Sequence, residues 1–140
     1  RVLFRSPCHI GFQCFVSPAN EASNGKLRLS LKLSMRSVDT PVGMIYNIAS
    51  YALLTHLLAH ACNMEASEFV LDTGDTHIYA DQIEEVKRQL LREPVDCQPI
   101  ISINPEVRDL FSLTANDITI NGYKYHPDED VNPIKYNVAV

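Results

Sequence analysis

Apolar and polar residues alternate along the first part of the chain in a way that predicts two paired strands. Residues 26–36 carry leucine at alternate positions, with Arg, Lys and Ser between, so they predict a strand with one buried face. Residues 8–16 mix aromatic and apolar side chains and predict a buried strand. The segment between them, residues 17–25, is rich in Ser, Asn, Pro and Gly and predicts a turn, so the two strands should pair antiparallel.

A long helix is predicted after this pair. Residues 38–46 contain Pro41 and Gly43 and are predicted to form a loop. From Asn47 to residue 62, apolar side chains cover much of the circumference of a helix, which is typical of a helix buried in the middle of a domain. Ser, Thr and His interrupt its apolar stretch, so no membrane-spanning segment is predicted.

Shorter elements are predicted in the second half of the chain. The pattern predicts strands at residues 68–73, Ile100–Ile103 and residues 118–123, with a polar turn at residues 74–77. Residues 81–92 predict an amphipathic surface helix. The side chains of this helix predicted to face inward are Ile83, Val86 and Leu90. On its outer face, Glu84 is predicted to form an ion pair with Arg88. Together these elements predict an α+β fold.

Composition narrows the classes of protein and partner. The chain has 140 residues, of which 46% are apolar and 21% charged, which suits one globular domain. Its net charge of −5 gives no reason to expect DNA, RNA or an anionic membrane as a partner. The four cysteines lack a C-x-x-C spacing, so reduced thiols in the cytoplasm are expected. His56 and His60 have the spacing of a zinc pair but lack a third ligand, so no metal is predicted.

Three polar clusters could carry chemistry, and each also has a structural interpretation. Cys8 begins a predicted strand, where a nearby cation would favour its thiolate, and the alternative is a buried structural cysteine. Arg36 and Ser37 end the alternating strand and suit a phosphate, although such a pair is also found in solvated turns. His77 and Tyr79 point the same way if extended and suit a sugar hydroxyl, or they lie on a surface loop.

The clusters belong to a longer series of motifs that occur in an informative order. That series is Pro7-Cys8-His9, Arg36-Ser37-x-Asp39, Gly43, residues 47–54, residues 74–79, Arg92-Glu93-Pro94, Gly122-Tyr123, His126-Pro127 and residues 138–140. It resembles the thymidylate synthase family from Pro7 onward. The resemblance implies that family's α+β fold, a mixed sheet packed on a long buried helix.

The resemblance also implies roles for the residues that would bind dUMP. Cys8 would be the nucleophile that adds to C6 of the pyrimidine. Arg36 and Ser37 would bind the phosphate, and Arg36 would also help to hold Cys8 as the thiolate. Asn47 would form hydrogen bonds with the uracil edge, because an amide both donates and accepts.

The remaining matched residues would contact the sugar and the co-substrate. His77 and Tyr79 would contact the 3′-hydroxyl of the deoxyribose. Asp39 would lie beside both substrates and, with Gly43, would contact the reduced folate 5,10-methylenetetrahydrofolate. The terminal carboxylate of Val140 would close over the folate. The resemblance implies a homodimer for the full-length protein and no metal.

Departures from the family pattern leave the outcome of the reaction open. Ser34-Met35 stands where the family has Tyr-Gln, and residues 41–46 also differ from it. The leading hypothesis is synthesis of dTMP and dihydrofolate. The alternative is a dUMP hydroxymethyltransferase, in which water captures the methylene intermediate to give 5-hydroxymethyl-dUMP. A further alternative is a non-catalytic relative that binds nucleotide or RNA, against which the retained Cys8, Arg36 and Asn47 argue.

The ends of the chain suggest a partial protein. Residues 1–6 match the translation of a sequencing-adapter oligonucleotide and are expected to be non-native, so residues 7–140 are expected to be the C-terminal part of one domain. In the family, the preceding half supplies a general-base Glu, a Trp beside the folate and arginines that the dimer partner lends. A chain without that half is expected to be inactive and to expose sheet edges.

Overall fold

Strand β2 (Arg28–Asp39) is the central strand of a three-stranded mixed sheet. In this computed structural model, β2 pairs antiparallel with β1 (His9–Ser17) and parallel with β3 (Glu65–His77). The structure describes residues 7–126 and 134–137, so the expectation for residues 1–6 lies outside it. The chain divides into two compact units, and the first ends with β3. The predicted antiparallel pair is confirmed.

The alternation along β2 forms the core of the first unit. Leu31 and Leu33 have no exposed surface, and Met35 and Val38 are almost as buried. Helix α1 (Ile45–Ala61) packs on this row through apolar side chains that are themselves half-buried. Because every second side chain of a strand points to the same face, one amphipathic strand supplies most of the buried surface. The predicted mixed sheet packed on one long helix is confirmed.

Helix α1 is less buried than its apolar composition predicts. Thr55 and Ala59 are its fully buried residues, because one side of the helix packs on the sheet and the rest does not. Within the described residues, the helical segment Thr40–Ala61 is long and apolar enough to cross a membrane by length and composition. The sequence analysis counted a shorter apolar stretch, because it predicted a loop where helical residues precede Ile45. The core helix of a soluble protein passes the same test, and α1 packs on a sheet.

Residues 38–46 were predicted to form a loop, and this was wrong. Val38 and Asp39 continue β2, and Thr40–Met44 forms a π-helical turn that leads into α1. Pro41 lies at the start of this turn, where its fixed φ suits a helix. The first N–H groups of a helix have no acceptor within it, so proline loses no hydrogen bond at this position. Helix α1 therefore begins close to the carboxyl end of β2.

Strand β3 is longer than predicted, because the expected polar turn at residues 74–77 is extended. Parallel pairing with β2 continues to the pair Asp39 and His77, so ladder hydrogen bonds hold the polar segment straight. At Gly74, an added Cβ would lie 2.7 Å from the Arg36 carbonyl oxygen. Glycine at this position lets the two backbones approach closely.

We expect Gly74→Ala to lower the free energy of unfolding by about 1–3 kcal/mol, because the methyl group overpacks against the backbone of β2. The matched control is Gly11→Ala on β1, where an added Cβ meets nothing within 4 Å. Urea denaturation of both variants measures the difference. Equal unfolding midpoints for the two variants would contradict the close approach at Gly74.

Strand β1 is exposed, whereas the sequence predicts a buried strand. It is the edge strand of the sheet, and α1 packs mainly over β2 and β3. Its apolar side chains are therefore exposed to solvent, and the exposed fraction is 71% for Ile10 and 49% for Phe12.

The second unit contains the predicted pair of short strands. β4 (Ile100–Ile103) pairs antiparallel with β5 (Ile118–Asn121). The second strand is shorter than predicted because Gly122 follows it with a φ of +73° and turns the chain. Before β5, the side chain of Asn104 and the backbone and hydroxyl of Thr114 donate hydrogen bonds to Asp117 and lower the pKa of its carboxyl.

Helix α2 (Ile83–Leu90) is also shorter than predicted. Its predicted inward face is only partly formed, since Ile83 and Leu90 are 42% and 78% exposed while the adjacent Gln82 is 1% exposed. The predicted ion pair is wrong, because the acidic residues of the first turn bond the basic residues three positions later. The observed pairs are Lys87 with Glu84 at 2.8 Å and Arg88 with Glu85 at 2.6 Å.

Candidate functional site

Four chain segments of the first unit meet at one edge of its sheet. The carboxyl ends of β2 and β3 lie there because the strands are parallel, and the antiparallel β1 starts there. Helix α1 follows β2 through one helical turn, so its N-terminus lies at the same edge. Ligands of sheets with parallel strands commonly bind at this edge, and a helix N-terminus favours negative charge. The arrangement can therefore hold an anionic ligand.

Two hydrogen bonds join Arg36 to the segment that carries Cys8. The backbone N–H of Arg36 donates to the Cys8 carbonyl oxygen at 2.9 Å. Its guanidinium Nε donates to the Pro7 carbonyl oxygen at 3.1 Å. The Cys8 thiol is free of disulfides and exposed, and Arg36 is exposed as well. An exposed thiol just before β1 and a permanent cation on β2 thus lie at a surface that a ligand can reach.

Strand register brings three further predicted residues to this edge. Across the parallel pair, Ser37 lies opposite Asp75 and Asp39 lies opposite His77. The Nδ1 of His77 is 3.5 Å from the Asp75 carboxylate. Ser37, Asp39 and His77 are each half-buried, so they line the edge without being sealed in the core. Ser37, Asp39 and His77 therefore bring a hydroxyl, a carboxylate and an imidazole to the edge that holds Arg36.

The π-helical turn contributes Gly43, and the start of α1 contributes Asn47. A Cβ added at Gly43 would lie 3.7 Å from the Cβ of Asp39 and 3.9 Å from Nδ2 of Asn47. The three residues are therefore neighbours, and a side chain at position 43 would contact both Asp39 and Asn47. Asn47 is half-buried on the first turn of the helix.

Met35 is a neighbour of the site that the sequence marks only as a departure from the expected pattern. Nδ2 of Asn47 donates to its sulfur at 3.6 Å. Met35 is 3% exposed and is the last inward residue of β2 before Arg36. Its place in the leucine alternation predicted the burial, but the contact with Asn47 required the helix to fold over the strand.

Tyr51 is a second residue that the sequence interpretation missed. Its hydroxyl lies 2.9 Å from Nδ1 of His9, next to Cys8. Its ring stacks on Phe69 with centroids 6.4 Å apart and meets Phe12 edge-on at 6.2 Å. The available signal was a tyrosine on an otherwise apolar helix, because a buried phenol usually needs a hydrogen-bond partner.

The roles of two other predicted site residues, Tyr79 and Val140, stay predictions. Tyr79 belongs to the second unit, where its backbone N–H donates to Gln82 Oε1 at 3.1 Å. Gln82 Nε2 in turn donates to the Asn137 carbonyl oxygen at 3.1 Å, which ties the start of α2 to the described C-terminal segment. Val140 lies outside the described residues.

Within residues 7–126 and 134–137, no group of three or more His, Cys, Asp or Glu side chains could hold a metal ion.

Comparison with protein families gives a match: the family model described as thymidylate synthase matches residues 3–140 of this chain.

Proposed function

This chain belongs to the thymidylate synthase family, and from that premise we propose that it methylates dUMP. The family indicates a methyltransferase of dTMP biosynthesis. The specific proposal is transfer and reduction of a one-carbon unit from 5,10-methylenetetrahydrofolate to C5 of dUMP, which gives dTMP and dihydrofolate. The observation that carries it is the pair of hydrogen bonds that hold Arg36 against the Cys8 segment at the sheet edge.

Cys8 supplies the nucleophile in this proposal. Its thiolate adds to C6 of uracil, and the electron pair of the C5–C6 double bond moves toward C5 and O4. C5 then becomes nucleophilic enough to form the new carbon–carbon bond. Loss of the C5 proton would accompany cleavage of the bond between the transferred carbon and the folate nitrogen. Hydride from the folate would then add to the resulting exocyclic methylene as the C6–sulfur bond breaks, and Cys8 would leave as the thiolate.

The neighbouring residues bind dUMP in a defined orientation. Arg36 and Ser37 provide charged and hydroxyl donors for the phosphate. Asn47 reads the pyrimidine edge, and His77 with Tyr79 contacts the 3′-hydroxyl. Binding the phosphate, sugar and base at separate points places C6 over the Cys8 sulfur and converts addition into an intramolecular step.

Asp39 and Gly43 are the described residues proposed for the folate side. They are adjacent, and the carboxylate of Asp39 can accept hydrogen bonds from N–H donors of the folate. Bound 5,10-methylenetetrahydrofolate would supply the one-carbon unit and the hydride that reduces it. Val140 is proposed to close this side with its carboxylate.

Product analysis tests the reaction. The protein expressed from its complete gene is incubated with dUMP and methylenetetrahydrofolate, dihydrofolate is followed by absorbance, and the nucleotide is identified by mass spectrometry. dTMP formed together with dihydrofolate is the expected result. A hydroxymethyl product without dihydrofolate would replace the synthase proposal with the alternative.

The hydroxymethyltransferase alternative has one structural observation in its favour. Met35, one of the departures from the family pattern, contacts Asn47 directly. A changed residue next to the base-reading amide can alter how well water is excluded from the intermediate. If no product forms but dUMP binds, the non-catalytic alternative gains support. A cytoplasmic homodimer without DNA or membrane partners stays a prediction.

A further inference from the structure

Met35 gives the carboxamide of Asn47 a fixed neighbour. Nδ2 of Asn47 lies 3.6 Å from the Met35 sulfur. Met35 is 3% exposed and belongs to the buried cluster of β2, so its side chain is packed in place. A flexible surface partner would not constrain the amide, but a sulfur held in the core does.

The chemistry of a thioether favours one of the two orientations of this amide. Thioether sulfur accepts a hydrogen bond weakly and cannot donate one. Asn47 therefore turns an N–H toward Met35 and its carbonyl oxygen away. Reversing the carboxamide would bring Oδ1 against the sulfur, so two acceptors would face each other.

The two amide orientations suit different pyrimidines. Uracil presents an acceptor at O4 and a donor at N3, whereas cytosine presents an amino donor at C4 and an acceptor at N3. An amide that matches one of these edges must reverse to match the other. We propose that Met35 is a positioning residue that makes Asn47 select uracil over cytosine. This inference rests on the proposed function, in which Asn47 reads the pyrimidine.

The surroundings leave the amide accessible to a base. Asn47 is half-buried, and the Gly43 Cα presents no side chain toward it. An added Cβ at Gly43 would lie 3.9 Å from Nδ2, which is ordinary contact distance. One side of Asn47 is therefore anchored on Met35, and the neighbouring Gly43 presents no side chain to it.

Binding selectivity of conservative variants tests the inference. Met35→Leu and Met35→Ile both remove the acceptor and keep an apolar side chain in the core. Met44→Leu is the control, because Met44 packs against the same buried cluster. Dissociation constants for dUMP and dCMP are measured by calorimetry on the protein from its complete gene. Two variants are used so that one that fails to fold does not end the test.

We expect the preference for dUMP over dCMP to fall roughly three- to tenfold in both Met35 variants, the effect of one hydrogen bond. It should stay unchanged in Met44→Leu. If Met35 had a purely structural role, its substitution would weaken the binding of dUMP and dCMP equally. That result, or an unchanged preference, would overturn the inference. If the unmodified protein binds neither nucleotide, the proposed function fails and this inference fails with it.

Discussion

We expect Cys8→Ser to abolish the covalent adduct that the intact protein forms with 5-fluoro-dUMP and methylenetetrahydrofolate. A seryl hydroxyl is a far weaker nucleophile than a thiolate at neutral pH, so the bond to C6 should not form. With fluorine at C5, the proton whose loss normally releases the enzyme is absent, and the adduct of the unmodified protein therefore persists. Mass spectrometry of the denatured protein detects it directly.

Cys14→Ser is the matched control for this prediction. Cys14 is also an exposed free thiol of β1, but it pairs with Leu31 in the middle of β2 and not with the end that carries Arg36. It should form the adduct at the unmodified rate. Persistence of the adduct in Cys8→Ser, together with its loss in Cys14→Ser, would show that the nucleophile had been assigned to the wrong cysteine.

The second large effect concerns Arg36. We expect Arg36→Ala to slow adduct formation by at least roughly a hundredfold, because hydrogen bonds to charged groups contribute about 1.5–3 kcal/mol each and two of them would bind the phosphate. The variant also loses the contact with the Pro7 carbonyl oxygen that braces the Cys8 segment. Rates measured over a range of nucleotide concentrations separate weaker binding from slower addition.

Arg28 provides a closely matched control for Arg36. It lies on the same strand, and its Nε donates to the Pro18 carbonyl oxygen at 3.0 Å, beyond the far end of β1. Arg28→Ala therefore removes one positive charge and one similar brace without touching the proposed site. Equal slowing in the two variants would indicate a general effect of charge or strand bracing and would contradict phosphate binding by Arg36.

Local sequence determined much of the first unit. The leucine alternation of β2 specified which face is buried, and the apolar run after Asn47 specified a long helix. Both signals are periodic patterns of neighbouring residues, and such patterns can be recognised without knowing any contact between distant parts of the chain. The ordered motifs that include Cys8, Arg36 and Asn47 also sufficed to indicate the family, and the match over residues 3–140 confirms it.

Only the tertiary structure decided features that depend on distant pairing. Residues 74–77 look like a polar turn in isolation, but pairing with β2 makes them strand and carries His77 to Asp39. The apolar sequence of β1 predicts burial, but its edge position leaves it exposed.

The same division holds within the candidate site. Residue types and motif order singled out Cys8 and Arg36, yet the bonds that join Arg36 to Cys8 and to Pro7 span 28 and 29 positions and exist because β1 pairs with β2. The contact of Met35 with Asn47 likewise required α1 to fold back over β2. Periodicity is a property of neighbours in sequence, whereas register and packing depend on which distant surfaces meet, and that is why the sequence named the residues and the fold arranged them.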